Sequence, residues 1–139
     1  MKLVSYNKFG SVMNDVLLSK NVSPKVAEAL TSSLIKTSLK GIDSHGINLF
    51  PHYISEIDLD RLNVEPTLNF KYTSNSTALL DAENTVGHYA GQQSMVKAIE
   101  LAKQNGVGVV SVNNSNHFGA AWFFTDIAAK SGMVGIAFS

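Results

Sequence analysis

The sequence contains no cysteine, which excludes disulfides and thiolate metal sites. It has one arginine, Arg61, among eleven basic residues, and eleven acidic residues bring the formal net charge to zero. A nucleic-acid binder would show a basic excess, and a membrane-surface protein would show a polybasic run, so neither class is indicated. Charged residues make up 16% of the chain, against roughly 25% in an average soluble protein. Much of the surface outside the core is therefore uncharged. No apolar run approaches the roughly 18 residues of a membrane span. The opening MKLVSYNKFG lacks the apolar region of a secretory signal, and the expected location is cytoplasmic. Three motifs are also missing: Gly-x-Gly-x-x-Gly, Gly-x-x-x-x-Gly-Lys-Ser/Thr and the Gly-x-Ser-x-Gly elbow.

What remains is 139 residues that are 45% hydrophobic, enough for about one domain. Phe9, Met13, Val16 and Leu17 recur at helical spacing. Ser23-Pro24 then reads as an N-cap and first helical position. Ala27, Leu30, Leu34 and Ile35 form the buried stripe of a helix reaching about Leu39, and Gly41 stops it. A polar turn, Gly41 to Ile47, leads into a short helix near Leu49 to Ile57. Leu68 to Tyr72 and Ala78 to Asp81 alternate like a hairpin around Ser74-Asn75-Ser76. His88 to Asn105 is predicted helical, with Met95, Ala98, Ile99 and Ala102 on one face, and Gly106 closes it. Val107 to Val112 is β-branched without alternation, as suits a central strand covered on both faces. A loop through Asn116-His117-Phe118-Gly119, a helix from Ala120 to Lys130 and an apolar strand from Met133 to Phe138 complete a βαβ unit. The expected fold is α/β: residues 1–66 mainly helical, then 67–139 as a mixed or parallel sheet with that βαβ unit. Ending on an apolar strand looks like a cut chain, since termini are usually exposed.

Two histidines stand where chemistry is done. Open α/β sheets bind ligands beyond the carboxyl ends of their strands, and His117 lies five residues after Val112. A histidine there can exchange a proton near neutral pH, or can simply be hydrogen-bonded in an Asn-rich turn. His45 sits in Asp43-Ser44-His45-Gly46, where Asp43 or Ser44 can orient an imidazole or cap the next helix. Adjacent serine and histidine side chains do not readily face each other, which counts against a Ser-His hydrolase. A metal trio of His45, His52 and His88 lacks a carboxylate at ligand spacing, so no metal is assigned and His88 reads as a helix start. Trp122-Phe123-Phe124 is more aromatic than a small helix needs and is expected to pack against a partner subunit or an absent part of the chain.

Taken together, Gly41-Ile42-Asp43-Ser44-His45-Gly46-Ile47, Pro51-x-Tyr53-Ile54, Gly106-Val107-Gly108-Val109-Val110 and Asn114-Ser115-Asn116-His117-Phe118-Gly119-Ala120-Ala121 resemble the malate/L-lactate dehydrogenase family. This is the group of ureidoglycolate and sulfolactate dehydrogenases and diketogulonate reductase, distinct from the Rossmann-fold lactate and malate dehydrogenases. The resemblance implies hydride transfer between NAD or NADP and a 2-hydroxy or 2-keto acid, in a dimer whose fold binds nicotinamide without the glycine fingerprint. By motif, His117 and His45 become the acid/base pair and Ser44 a substrate hydrogen-bond donor. No residue is carried over for the cofactor.

This chain departs from the family in two ways, in its site motifs and in its length. Members read Ser-His-Gly-Ile-Asn-Arg where this chain has Ser44-His45-Gly46-Ile47-Asn48-Leu49. That arginine is expected to hold the substrate carboxylate, a bidentate task beyond leucine. His52 stands where a second basic residue is usual, and Trp122-Phe123-Phe124 stands for Gly-Tyr-Tyr. Members are also considerably longer, so the chain corresponds to an N-terminal portion, expected to bind cofactor weakly, to be inactive alone and to self-associate. The alternative is a non-enzymatic remnant or dimerising module.

Overall fold

The computed structural model describes residues 4–139, so Met1 to Leu3 of the N-terminal stretch lie outside it. Helix α1 spans Tyr6–Ser19 and α2 spans Pro24–Leu39, with Pro24 at the first helical position. Ser23 occupies the N-cap, but its side chain makes no capping bond. Met13 and Leu17 of α1 pack against Val26, Leu30 and Leu34 of α2. Phe9 stays exposed, so the buried stripe of α1 is narrower than its spacing predicts. Two 3-10 turns, Asp43–His45 and Ile47–Leu49, lead into α3, Phe50–Asp58.

The sheet has three strands in the order β1, β2, β3. Strands β1 (Asn69–Tyr72) and β2 (Thr77–Asp81) form the predicted antiparallel hairpin, with Phe70 opposite Leu80. Strand β3 (Val109–Asn113) runs parallel to β2, with Leu80 opposite Val112. Helix α4 (Gly87–Asn105) connects β2 to β3 and ends on Gly106 at φ +81°, a left-handed cap that suits glycine. Helix α5 covers Trp122–Lys130.

A βαβ unit is therefore present, but it is β2-α4-β3 rather than the predicted pairing of β3 with a strand at Met133 to Phe138. That last segment forms no strand. It pairs with none of the three strands, although the outer edge of β3 is open, and Val134, Ile136 and Phe138 are 94%, 75% and 87% exposed. Strand β3 is likewise not covered on both faces. Val109 is 54% exposed and Val112 is also exposed, because β3 lies at the edge of the sheet and α4 covers one face alone. Gly108 allows that approach, since a Cβ there would stand 1.9 Å from the Ala98 carbonyl oxygen.

Helix α4 buries His88, Tyr89, Ala90, Ser94, Ile99 and Leu101. Of its predicted face, Ile99 is buried, while Met95, Ala98 and Ala102 are half-buried. Phe123 and Phe124 belong to this chain's own core rather than to a partner surface. Phe124 stacks on Phe118 at 5.1 Å and lies over Gly91, whose missing Cβ would be 2.8 Å from the ring. No helix among the described residues is long and apolar enough to cross a membrane.

Candidate active site

The chain has four histidines, and the fold gathers all of them around Tyr53. This residue is one turn into α3 and 3% exposed. Its phenol oxygen lies 2.7 Å from Nδ1 of His117, the site's principal hydrogen bond. His88 stands nearly perpendicular to Tyr53, with ring centroids 5.1 Å apart, and meets His117 at 6.2 Å. His45 approaches His117 at 5.7 Å, and His52 lies 5.5 Å from Tyr53. His52, Tyr53, Glu56, Leu62, Val86, Asn116 and His117 line a cleft of about 70 Å³.

Local sequence explains each placement. The loop after β3 is fastened to residues 82–85. Asn84 N–H donates to the Asn114 carbonyl at 2.8 Å. The Asn116 amide donates to the Asn84 carbonyl and side-chain oxygens and to the Thr85 carbonyl at 2.9–3.1 Å. Asn114 sits at φ +50°, a left-handed conformation that asparagine tolerates. The loop then lies directly on the start of α4. A Cβ on Gly87 would meet the Asn116 carbonyl at 2.2 Å, and one on Gly119 (φ +76°) would meet His88 Nε2 at 2.4 Å. Asparagines and glycines thus set His117 at the carboxyl end of β3.

His45 is set from the other side. Ile47 N–H donates to Ser38 Oγ at 2.9 Å, tying the turn to α2. Gly46 is required by space rather than by backbone angle, since its Cβ would fall 2.1 Å from Ser38 Oγ. The 3-10 turn also brings Ser44 Oγ to 3.0 Å from His45 Nδ1. Contrary to the sequence expectation, these adjacent side chains do face each other. Leu49 turns away from the cleft and packs against the N-terminal core. Arg61 pairs with Glu56 at 3.2 Å, so no arginine replaces the one missing at Leu49. His45, His52 and His88 do not converge as ligands, and among the described residues no group of three is arranged to hold a metal.

The electrostatics follow from burial. Tyr53 is raised well above its ordinary value by loss of water, so its phenol keeps its proton. It has no other hydrogen-bond partner among the described residues. Its donor is satisfied only if neutral His117 accepts at Nδ1 and carries its own proton on Nε2. His117 is held below the usual histidine value by burial first, then by His45 and His52. The protonated form of His117 is thus disfavoured. His88, enclosed beneath both rings, is pushed down to about 3 by burial, then by His117 and His45.

The fold brings together His117, His45 and Ser44, the residues that the sequence names as candidates. The sequence reading placed Tyr53 on an apolar helix face and His88 at a helix start, and did not name Ser38. The close spacing of Tyr53 to His45, together with its place in the Pro51-x-Tyr53-Ile54 motif, was the available signal for Tyr53.

A family model described as malate/L-lactate dehydrogenase matches residues 4–139. The chain belongs to the malate/L-lactate dehydrogenase family. It is 37% identical over 122 residues to L-sulfolactate dehydrogenase of Methanocaldococcus jannaschii, covering 88% of this chain and 36% of that one. It is 32% identical over 136 residues to 2,3-diketo-L-gulonate reductase of Mannheimia succiniciproducens, covering 98% and 41%. The solved malate dehydrogenase of Entamoeba histolytica superposes with a TM-score of 0.90 at 36% identity, covering 94% of this chain and 37% of that one. The chain thus spans between 36% and 41% of the length of these relatives. The mixed α/β fold is theirs.

The described residues supply proton donors and acceptors at a cleft. They do not supply a dinucleotide cradle: the cleft at His117 is about 70 Å³, against roughly 300–1,000 Å³ for ligand pockets. The larger cleft, about 350 Å³ and lined by Ser23, Pro24, Lys25, Glu65, Pro66, Thr67 and Tyr89, contains none of the histidines.

Proposed function

We propose that this chain carries the proton-transfer part of an NAD(P)-dependent oxidoreductase acting on 2-hydroxy or 2-keto acids. The observation that carries the reading is the Tyr53–His117 hydrogen bond with His45 beside it. The nicotinamide would supply the hydride, and the chain's own residues handle the proton. In reduction His117 first takes up a proton at Nδ1, where the Tyr53 oxygen then accepts the hydrogen bond, and gives its Nε2 proton to the substrate oxygen at the cleft; oxidation runs these steps in reverse. His45 keeps His117 from remaining cationic and is held by Ser44, whose exposed hydroxyl is also free to bond a substrate oxygen. Substrates named for the relatives, sulfolactate, malate and diketogulonate, are hydroxy or keto acids, which supports this class. With Leu49 in the core, carboxylate recognition within this chain falls to His52, exposed at the cleft, and is weaker by the loss of a charge-assisted contact worth roughly 1.5–3 kcal/mol.

The test is a chimera in which residues 4–139 replace the matching part of the Entamoeba histolytica malate dehydrogenase. It is assayed by NAD(P)H oxidation with oxaloacetate and pyruvate. His117→Ala is expected to lower turnover by roughly 10²–10⁴-fold, the usual worth of a general acid or base. A chimera that is equally active with and without His117 refutes the reading. The 139-residue chain assayed alone is expected to show no turnover.

A further inference from the structure

His88 is a buried titratable group that this chemistry leaves without a task. Its ring is fully enclosed, and neither nitrogen has a hydrogen-bond partner among the described residues. An apolar side chain would fill the same space without stranding two polar atoms. Packing alone therefore does not account for an imidazole here.

Its contacts do. The ring stands at 88° to Tyr53 and at 71° to His117, while the Tyr53 and His117 rings lie only 21° from parallel. His88 thus meets both rings of the hydrogen-bonded pair nearly at right angles, and such T-shaped contacts of aromatic rings are directional. The space above it is closed by Gly119 at 2.4 Å for any added Cβ.

We propose that His88 is a positioning residue: its ring holds the Tyr53 phenol against Nδ1 of His117 and so fixes which nitrogen of His117 carries the proton. The proposal rests on the acid/base reading of His117 but is read out without turnover.

The experiment measures the ¹⁵N shifts of His117 Nδ1 and Nε2 in the 139-residue chain, with His88→Leu and His88→Phe beside the wild type. Leucine fills the core but has no aromatic ring; phenylalanine keeps the ring. In the wild type the Nε2–H form dominates. In His88→Leu the ratio of the two forms falls about fivefold, what losing one hydrogen bond gives, and the His117 titration midpoint moves up toward its ordinary value. His88→Phe keeps the wild-type ratio. A folded His88→Leu chain with an unchanged His117 pattern overturns the proposal. So does a His88→Phe chain as altered as the leucine variant. Loss of turnover in the His117→Ala chimera stands or falls separately, so failure of the positioning role is distinguishable from failure of the proposed function.

Discussion

Acid should destabilise this fold through His88 in a pH range where carboxylates do not yet matter. The folded protein holds His88 down to about 3, from an ordinary 6.5. The unfolded chain therefore binds a proton near pH 6.5 that the folded chain refuses. A depressed histidine contributes stability that is fully present above the unfolded value and is lost as pH falls toward the folded one. At pH 5 the gap from 6.5 is 1.5 units, or about 2 kcal/mol at 1.36 kcal/mol per unit. By pH 3 the loss approaches about 5 kcal/mol, a large share of the 5–15 kcal/mol typical of a domain.

Urea unfolding followed by Trp122 fluorescence at pH 7 and pH 5 measures this directly. Wild type and His88→Leu are compared; His117 relaxes toward its ordinary value in the leucine variant, which widens the difference in the same direction, so the figure for His88 is a minimum. Asp81 and Asp126 are held below the ordinary carboxylate value, Asp81 by the Glu83 N–H and Asn114, and Asp126 by Lys130. Their contribution is lost only nearer pH 4 and below, and it is common to both chains. The wild type should lose at least about 2 kcal/mol more than His88→Leu between pH 7 and pH 5. At pH 7 the leucine variant is relieved of two unpaired buried nitrogens but loses about 1 kcal/mol with the Tyr53–His117 hydrogen bond, so the two chains should differ little there. Equal losses in the two chains would refute the reasoning, since His88 would then have to reach water or a partner as readily when folded as when unfolded.

Three further outcomes follow from the site's construction. Tyr53→Phe removes the donor to His117 and should cost about 1 kcal/mol of stability, with the Nδ1–H form of His117 appearing in ¹⁵N spectra; an unchanged spectrum would mean the 2.7 Å bond does not set the tautomer. Ser38→Ala strands the Ile47 N–H and should cost about 1–2 kcal/mol in urea melts, with selective broadening of the His45 signals. Gly119→Ala forces a side chain at φ +76° and 2.4 Å from His88 Nε2; a loss of at least about 1 kcal/mol is expected, and a neutral result would mean that the loop does not rest on His88.

The helices were legible because each carries its own punctuation. Pro24 opens α2, Gly106 closes α4, and the apolar spacing between them has the helical period. The hairpin was legible for the same local reason. Strand β3 was legible as a strand, but its cover and its pairing were not, because burial of a β-branched run depends on what lies across from it. Val107 to Val112 reads alike at the centre or the edge of a sheet, and the segment from Met133 to Phe138 becomes a strand only where a neighbour pairs with it. The site divides along the same line. His45 and His117 announce themselves, since each sits in a polar turn beside a glycine. Tyr53 and His88 do not, because their role exists only once α3, α4 and the loop after β3 meet. What local sequence does record is the glycines that permit the meeting: Gly46 against Ser38, Gly87 against Asn116, Gly119 against His88. Each marks a backbone that another element presses on. Two of the three motifs containing them flank an imidazole that the contact then aims. In this chain, the close-approach glycine is thus a better guide to the second layer of the site than the polarity of the residues that form it.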